Sequence, residues 1–262
     1  MKLIINGRYM EPVVRPYWEG PHLLVPLTQV ASRLGGQIEG DAAETILGAP
    51  GRRCILRVGE TKAHLSQGEL DLGTPVCRRE NTTLVPLDFL ARFLGAGLFW
   101  DGACDTWIIG QIEKHLLGQR ILLEPLGGEK WNWEVLWRLL VLINLGGGLG
   151  VLPGSRGDTP HLAIEFRAEQ RTYTYFPTLV TSHGSTWPAL YWAHHIHQEL
   201  LIALGVCDGG LGPCTETAYP TIKLELTLNS QGQLAPPHCQ QAAAAIYRGI
   251  LGGLPTKELS SK

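Results

Sequence analysis

The residues with the types and spacing for chemistry lie in the second half of the chain. His194 and His197 stand i, i+3 in a helix-period segment, close enough on one face to chelate a metal. Beside Gln198 and Glu199, the simpler expectation for His194-His195-Ile196-His197 is a solvated helix face. Ser182-His183-Gly184-Ser185 has the residue types of a serine hydrolase. No G-x-S-x-G elbow precedes a helix there, so that chemistry is not expected. Residues 146–150 lack the spacing of a dinucleotide loop and read as a helix stop. The most pointed stretch is Arg120 to Lys130, RILLEPLGGEK. It reads as a short apolar strand through Glu124, a loop with Pro125 and Gly127-Gly128, and a helix from Trp131. A strand, a glycine loop and a helix in that order place a site at the carboxyl end of an α/β sheet.

The elements that would position such a site alternate along the second half. Strands are expected at 120–124, 149–152, 162–166 and 221–226, with an extended stretch at 172–180. Helices are expected at about 131–145, 188–204 and 238–251. This order predicts an α/β domain with a mixed, mostly parallel sheet covered by helices on both faces. Trp133 and Trp137 fall i, i+4 on one helical face. Indole faces stack on sugar rings, but aromatics mostly serve burial, so core packing or contact with the first domain is expected.

The first 110 residues carry an internal repeat. Leu24-Val25-Pro26-Leu27 returns sixty residues later as Leu84-Val85-Pro86-Leu87. Each is followed by a helix-period segment ending at Gly35 or Gly95. Val30, Ala31 and Leu34 align with Leu90, Ala91 and Leu94. Strand candidates follow at 45–47 and 106–109, and the turn Asn6-Gly7 is matched to Gln67-Gly68. Two copies of strand, turn, strand, helix, strand predict a compact α+β domain. The expected division is 1–110, a linker at 111–119, a domain at 120–254 and a tail at 255–262.

With 262 residues, 44% hydrophobic and 18% charged, the chain is long enough for two globular domains. Its net charge of −2 and lack of a Lys/Arg block leave no electrostatic footprint for nucleic acid. No apolar run is long enough for a membrane span. The three apolar residues before Asn6-Gly7 are too few for a signal peptide, so a cytoplasmic location is expected from the residues alone. Six scattered cysteines without a C-x-x-C pair read as free thiols. Cys207 and Cys214 flank a glycine-rich loop and could bridge if the chain were exported.

Two resemblances follow. Leu84 to Leu87, Leu94-Gly95-Ala96 and Phe99-Trp100-Asp101 resemble the copper amine oxidase N-terminal-like domain of bacterial surface and cell-wall proteins. That resemblance implies an attachment or structural module and no copper chemistry; His22 and His64 stand alone. Residues 120–130 resemble the opening of the zinc-dependent N-acetylmuramoyl-L-alanine amidases, with Glu124-Pro125-Leu126-Gly127-Gly128 in place of D-P-G-H-G-G. The similarity extends through residues 151–158, 163–168, 205–212, 219–225 and 240–250.

The amidase resemblance implies a zinc set of His, Glu and His, which here becomes no residue, Glu129 and Glu165. It also implies Glu225 as the catalytic acid/base. Two carboxylates without imidazole suit a harder cation than zinc. The implied protein is a non-catalytic, cell-wall-related binding or structural protein without a cofactor. It would bind a peptidoglycan fragment or a protein partner and, by resemblance, sit in the cell envelope or spore. The alternative is a working, metal-dependent amidase with an atypical zinc site.

Overall fold

The computed structural model describes the chain except for residues 42, 112–115, 156–158, 171–176, 214–216, 229–234 and 255–262. Part of the expected linker, the whole tail and much of the extended stretch at 172–180 therefore fall outside the described residues. The chain is a mixed α/β protein of two compact units, Met1–Ile112 and Glu113–Lys262.

The first unit runs β1 (Lys2–Ile5), β2 (Arg8–Met10), β3 (Tyr17–Glu19), β4 (His22–Pro26), α1 (Leu27–Arg33), β5 (Gln37–Gly40) and β6 (Glu44–Ala49). It continues with β7 (Arg52–Arg57), β8 (Lys62–Leu65), β9 (Gly68–Asp71), β10 (Cys77–Arg79), β11 (Thr82–Pro86), α2 (Leu87–Leu94), β12 (Ala96–Asp101) and β13 (Thr106–Gln111). Three sheets result, ordered β12-β13-β1-β2, β10-β11-β4-β3 and β5-β6-β7-β8-β9.

Strands β4 and β11 pair antiparallel, with Val25 opposite Val85, Leu24 opposite Pro86 and Leu84 opposite Pro26. This register maps onto itself when the two strands are exchanged. Each strand runs directly into a helix at its proline, whose fixed φ suits a helix start. Leu27, Val30 and Leu34 join Leu87, Leu90 and Leu94 in one buried cluster with Leu3, Leu47 and Ile109. Gly35 (φ +72°) and Gly95 (φ +70°) take the left-handed conformation that ends each helix, which only glycine adopts without strain.

Two details differ from the sequence expectation. The second hairpin turns at Ser66-Gln67, between Leu65 and Gly68, and not at Gln67-Gly68. Strands β5, β7 and β12 have no counterpart among the expected elements: β5 and β12 directly follow the two helices, β7 pairs with both β6 and β8, and β13 pairs with β12 and β1.

The second unit runs β14 (Arg120–Pro125), α3 (Lys130–Leu145), β15 (Leu149–Val151), β16 (Leu162–Gln170), β17 (Thr178–His183), α4 (Trp187–Leu204), β18 (Cys207–Pro213), β19 (Thr221–Leu228) and α5 (Pro236–Gly252). The sheet order is β15-β14-β16-β19-β17-β18. Strand β14 pairs parallel with β15 and β16, β16 with β19, and β17 with β18, while β17 meets β19 antiparallel.

Side chains alternate across a strand, and here the alternation separates two kinds of face. Leu123, Ile164, Phe166, Ile222 and Leu224 are fully buried. Glu124, Glu165, Arg167, Lys223 and Glu225 point the other way and keep solvent contact. The helices pack on one another, α5 against both α3 and α4, and α3 and α4 against the strands. Among the described residues they cover the apolar face only. The expectation of cover on both faces is thereby corrected: the second face carries charge instead of a helix-binding surface. β18, expected as a glycine-rich loop, is an exposed edge strand.

Candidate functional site

The loop after β14 is held from beneath by one buried amide. β14 ends at Pro125 while β16 continues to Gln170, so the β16 backbone beyond Phe166 loses its β14 partner. Asn132 replaces it: its Oδ1 accepts from the Ala168 N–H at 2.7 Å and its Nδ2 donates to the Leu126 carbonyl at 2.9 Å. Trp131 Nε1 donates to the Ala168 carbonyl at 2.9 Å. Asn132→Ala orphans a buried N–H and a carbonyl together. It is expected to cost about 2 kcal/mol, read as earlier urea unfolding and faster exchange of the Ala168 amide.

On the open face the register builds a row of charges. Glu124 of β14 neighbours Glu165 of β16, which neighbours Lys223 of β19, opposite Ser182 of β17. One step along, Arg167 neighbours Glu225. Glu225 Oε1 lies 3.2 Å from Lys223 Nζ and 3.8 Å from Arg167 Nη1, and Arg167 also reaches Glu169 at 3.0 Å. Burial pushes the Glu165 carboxyl above its ordinary range; Glu124 adds to the rise, Lys223 opposes it, and Glu225 raises it further. A raised folded pKa means the native state holds this proton more tightly, so Glu165's contribution to stability falls as pH rises from the ordinary to the raised value. Carboxyl NMR titration is expected to show Glu165 lowered by Glu124→Gln and raised further by Lys223→Met. Beside the row a cavity of about 570 Å³ opens over Leu122 and Glu124, walled by residues 151–155 and Tyr219.

The residues singled out in sequence separate here. Glu165 and Glu225 share the charged face, and Glu124 belongs with them. Glu129 occupies the N-cap position of α3, exposed, with no side-chain cap bond. Glu225 is the fifth residue of β19, in mid-strand. Among the described residues no three His, Cys, Asp or Glu side chains are placed to hold a metal ion. Glu129, Glu165 and Glu225 therefore form no joint ligand set, and the donors present do not fit zinc, which takes four-coordinate sets rich in imidazole or thiolate.

The histidine segment is a solvated face only in part. His197 is buried: its Nδ1 lies 2.8 Å from Thr181 Oγ1 and its Nε2 3.0 Å from Asp208 Oδ1. It joins α4 to β17 and β18 and is not spared for a metal. His194 is exposed; His195 packs its ring 4.8 Å from Tyr191, and burial lowers its pKa, helped by His194. His183 ends β17, with Nδ1 2.8 Å from the Gly184 carbonyl. Trp133 and Trp137 are 46% and 54% exposed, so core packing is not their role. Cys54, Cys77, Cys104, Cys207 and Cys239 form no disulfide among the described residues; Cys214 lies outside them. Burial pushes Cys54 up to about 12, leaving it unreactive.

Comparison with known proteins gives each unit its relatives. Residues 4–109 match the family model of the copper amine oxidase N-terminal domain, as expected for the first unit. Over the rest of the chain, similar solved structures include N-acetylmuramoyl-L-alanine amidases and a bacteriophage poly-gamma-glutamate hydrolase, all at low identity. Ami1 of Mycobacterium smegmatis is 14% identical, covering 53% of this chain and 98% of its own, with a TM-score of 0.43. The CwlD amidase of Clostridioides difficile, solved in complex with the GerS lipoprotein, is 14% identical, covering 52% and 98%, with a TM-score of 0.44. The catalytic domain of CwlV from Bacillus (Paenibacillus) polymyxa var. colistinus is 17% identical, covering 55% and 99%, at 0.41. No curated protein sequence matches the chain. Among the described residues no helix is long and apolar enough to cross a membrane.

Proposed function

We propose that the chain is a non-catalytic, cell-wall-related binding or structural protein. In this reading a copper amine oxidase N-terminal domain precedes a degenerate N-acetylmuramoyl-L-alanine amidase domain that binds a peptidoglycan fragment or a protein partner. The observation that carries it is the state of Glu225. The residue at the acid/base position is clamped between Lys223 and Arg167. Both cations lie against its Oε1, and positive charge there opposes the metal ion that would have to sit within reach of a general base in a metal-dependent amidase. The loss of imidazole at the ligand positions supports the same reading. The symmetric β4–β11 register and the helices after each strand support a duplicated first domain, and an envelope or spore location follows from both resemblances.

Purified protein supplied with zinc is expected to leave the muramoyl-alanine bond of peptidoglycan fragments intact, and Glu225→Gln is expected to change nothing in that assay. Metal-dependent cleavage that vanishes in Glu225→Gln would establish the alternative, a working amidase with an atypical metal set.

A further inference from the structure

The first unit holds two surface cavities that correspond position by position. Trp18, His22 and Asp88 line one, of about 270 Å³. Thr28, Arg78 and Thr82 line the other, of about 440 Å³. Each member of one set lies sixty residues from its counterpart: Trp18 from Arg78, His22 from Thr82, Thr28 from Asp88. The same hollow is thus built twice on one scaffold, once with polar side chains and once with aromatic ones. The aromatic version also receives Trp107, whose ring centroid lies 6.5 Å from that of Trp18 and 5.4 Å from that of Trp100. Trp18 and Trp100 are 53% and 39% exposed. Adjoining indoles held in water mark a surface that an occupant covers.

We propose that this cavity binds a chain of N-acetylated sugar rings. The C–H face of a pyranose is apolar and slightly positive, and it lies favourably on the negative face of an indole. Trp18 and the half-buried Trp107 line the cavity and Trp100 adjoins Trp107, their planes tilted by 55° and 46° along the row, a stepped surface that suits several linked rings better than one isolated ligand. The cavity wall adds Pro21, Leu23 and Leu98, an apolar lining for an acetamido methyl, while His22 and Asp88 offer hydrogen-bond partners to hydroxyl and amide groups. A cation, the other guest of aromatic surfaces, is disfavoured. Asp88 already lies 3.4 Å from Arg92 and 3.5 Å from His22, so the cavity supplies no free anion. The proposal does not rest on the amidase reading of the second unit.

The test uses the full chain and a soluble β-1,4-linked N-acetylglucosamine tetramer, followed by titration calorimetry and indole N–H NMR. Saturable binding that shifts the Trp18 and Trp107 resonances is expected. Trp18→Ala, which removes a half-exposed ring, is expected to weaken it about tenfold, the worth of one stacked ring, with the urea midpoint of the variant checked against the parent. Arg78→Ala in the polar cavity and Trp137→Ala on α3 are expected to leave the affinity unchanged. Absence of binding, binding indifferent to Trp18→Ala, or binding lost equally in Trp137→Ala overturns the proposal. So does a chain that ignores the tetramer but takes tetramethylammonium at Trp18.

Discussion

Gly249→Val is expected to destabilise the second unit by about 3 kcal/mol, near the upper end of what overpacking costs. Helix α5 owes its place to small side chains: Ala242, Ala243, Ala244 and Ala245 are fully buried, and Gly249 continues that surface against α4. A Cβ added at Gly249 would run into the Ile196 Cα and lie only 2.7 Å from the Ile196 nitrogen and 2.6 Å from its Cγ1. These are mostly backbone atoms of a packed helix, so no rotamer change relieves the clash. Gly249→Ala should be destabilising too, although alanine in a helix interior is worth up to about 1 kcal/mol over glycine. That gain offsets only part of the collision. Gly205 makes the useful contrast: an added Cβ meets nothing, yet its φ of +61° leaves the left-handed penalty. Gly205→Ala is therefore expected to cost only about 1 kcal/mol. Urea titration should place Gly249→Val as the least stable variant, ahead of Gly249→Ala and Gly205→Ala. A Gly249→Val protein as stable as the parent would refute close α4–α5 packing.

More of this arrangement is legible in the sequence than any single strand suggests. The alternation of Ile222, Leu224 and Leu226 with Lys223 and Glu225 places both polar side chains on one face, where they lie. The same alternation runs through Glu165, Arg167 and Glu169 on β16. A strand buried on both faces would be continuously apolar. That polar stripe is the sign that helices cover one face only, but it emerges only when two strands are read together.

Local periodicity also separates the histidines from the tryptophans. Ala193, Ile196, His197 and Leu200 are buried at i, i+3, i+4 and i+7, so His197 sits within the apolar stripe of α4. In α3 the buried residues are Asn132, Val135, Leu136, Arg138, Leu139, Leu142 and Ile143, a set that includes neither Trp133 nor Trp137. What periodicity could not supply is long-range: the Asn132 bridge to β16, the Lys223–Glu225–Arg167 clamp and the paired cavities all join segments far apart in sequence. The charged clamp is legible only once the parallel register of β16 and β19 is known.

His197→Ala is expected to lower stability by about 3 kcal/mol, combining a vacated core volume with a Thr181 hydroxyl left buried without its imidazole. Thr181 is fully buried. His197→Phe refills the volume but restores neither hydrogen bond, so it should recover part of the loss and not all. The carboxylate at the far side reports the same contact independently. The Gly210 N–H, first, and then His197 hold the Asp208 carboxyl below its usual range. A carboxylate with a depressed folded pKa contributes stability that is present above its unfolded pKa and lost as pH falls through the folded value. Acid should therefore loosen β18, seen as faster exchange of its amides, before the core of the unit yields. In His197→Ala the Asp208 pKa is expected to rise only part of the way, because Gly210 still donates at 2.7 Å. An Asp208 titration identical in parent and variant would mean that the imidazole does not reach β18 in solution, and the latch joining α4 to both strands would have to be abandoned.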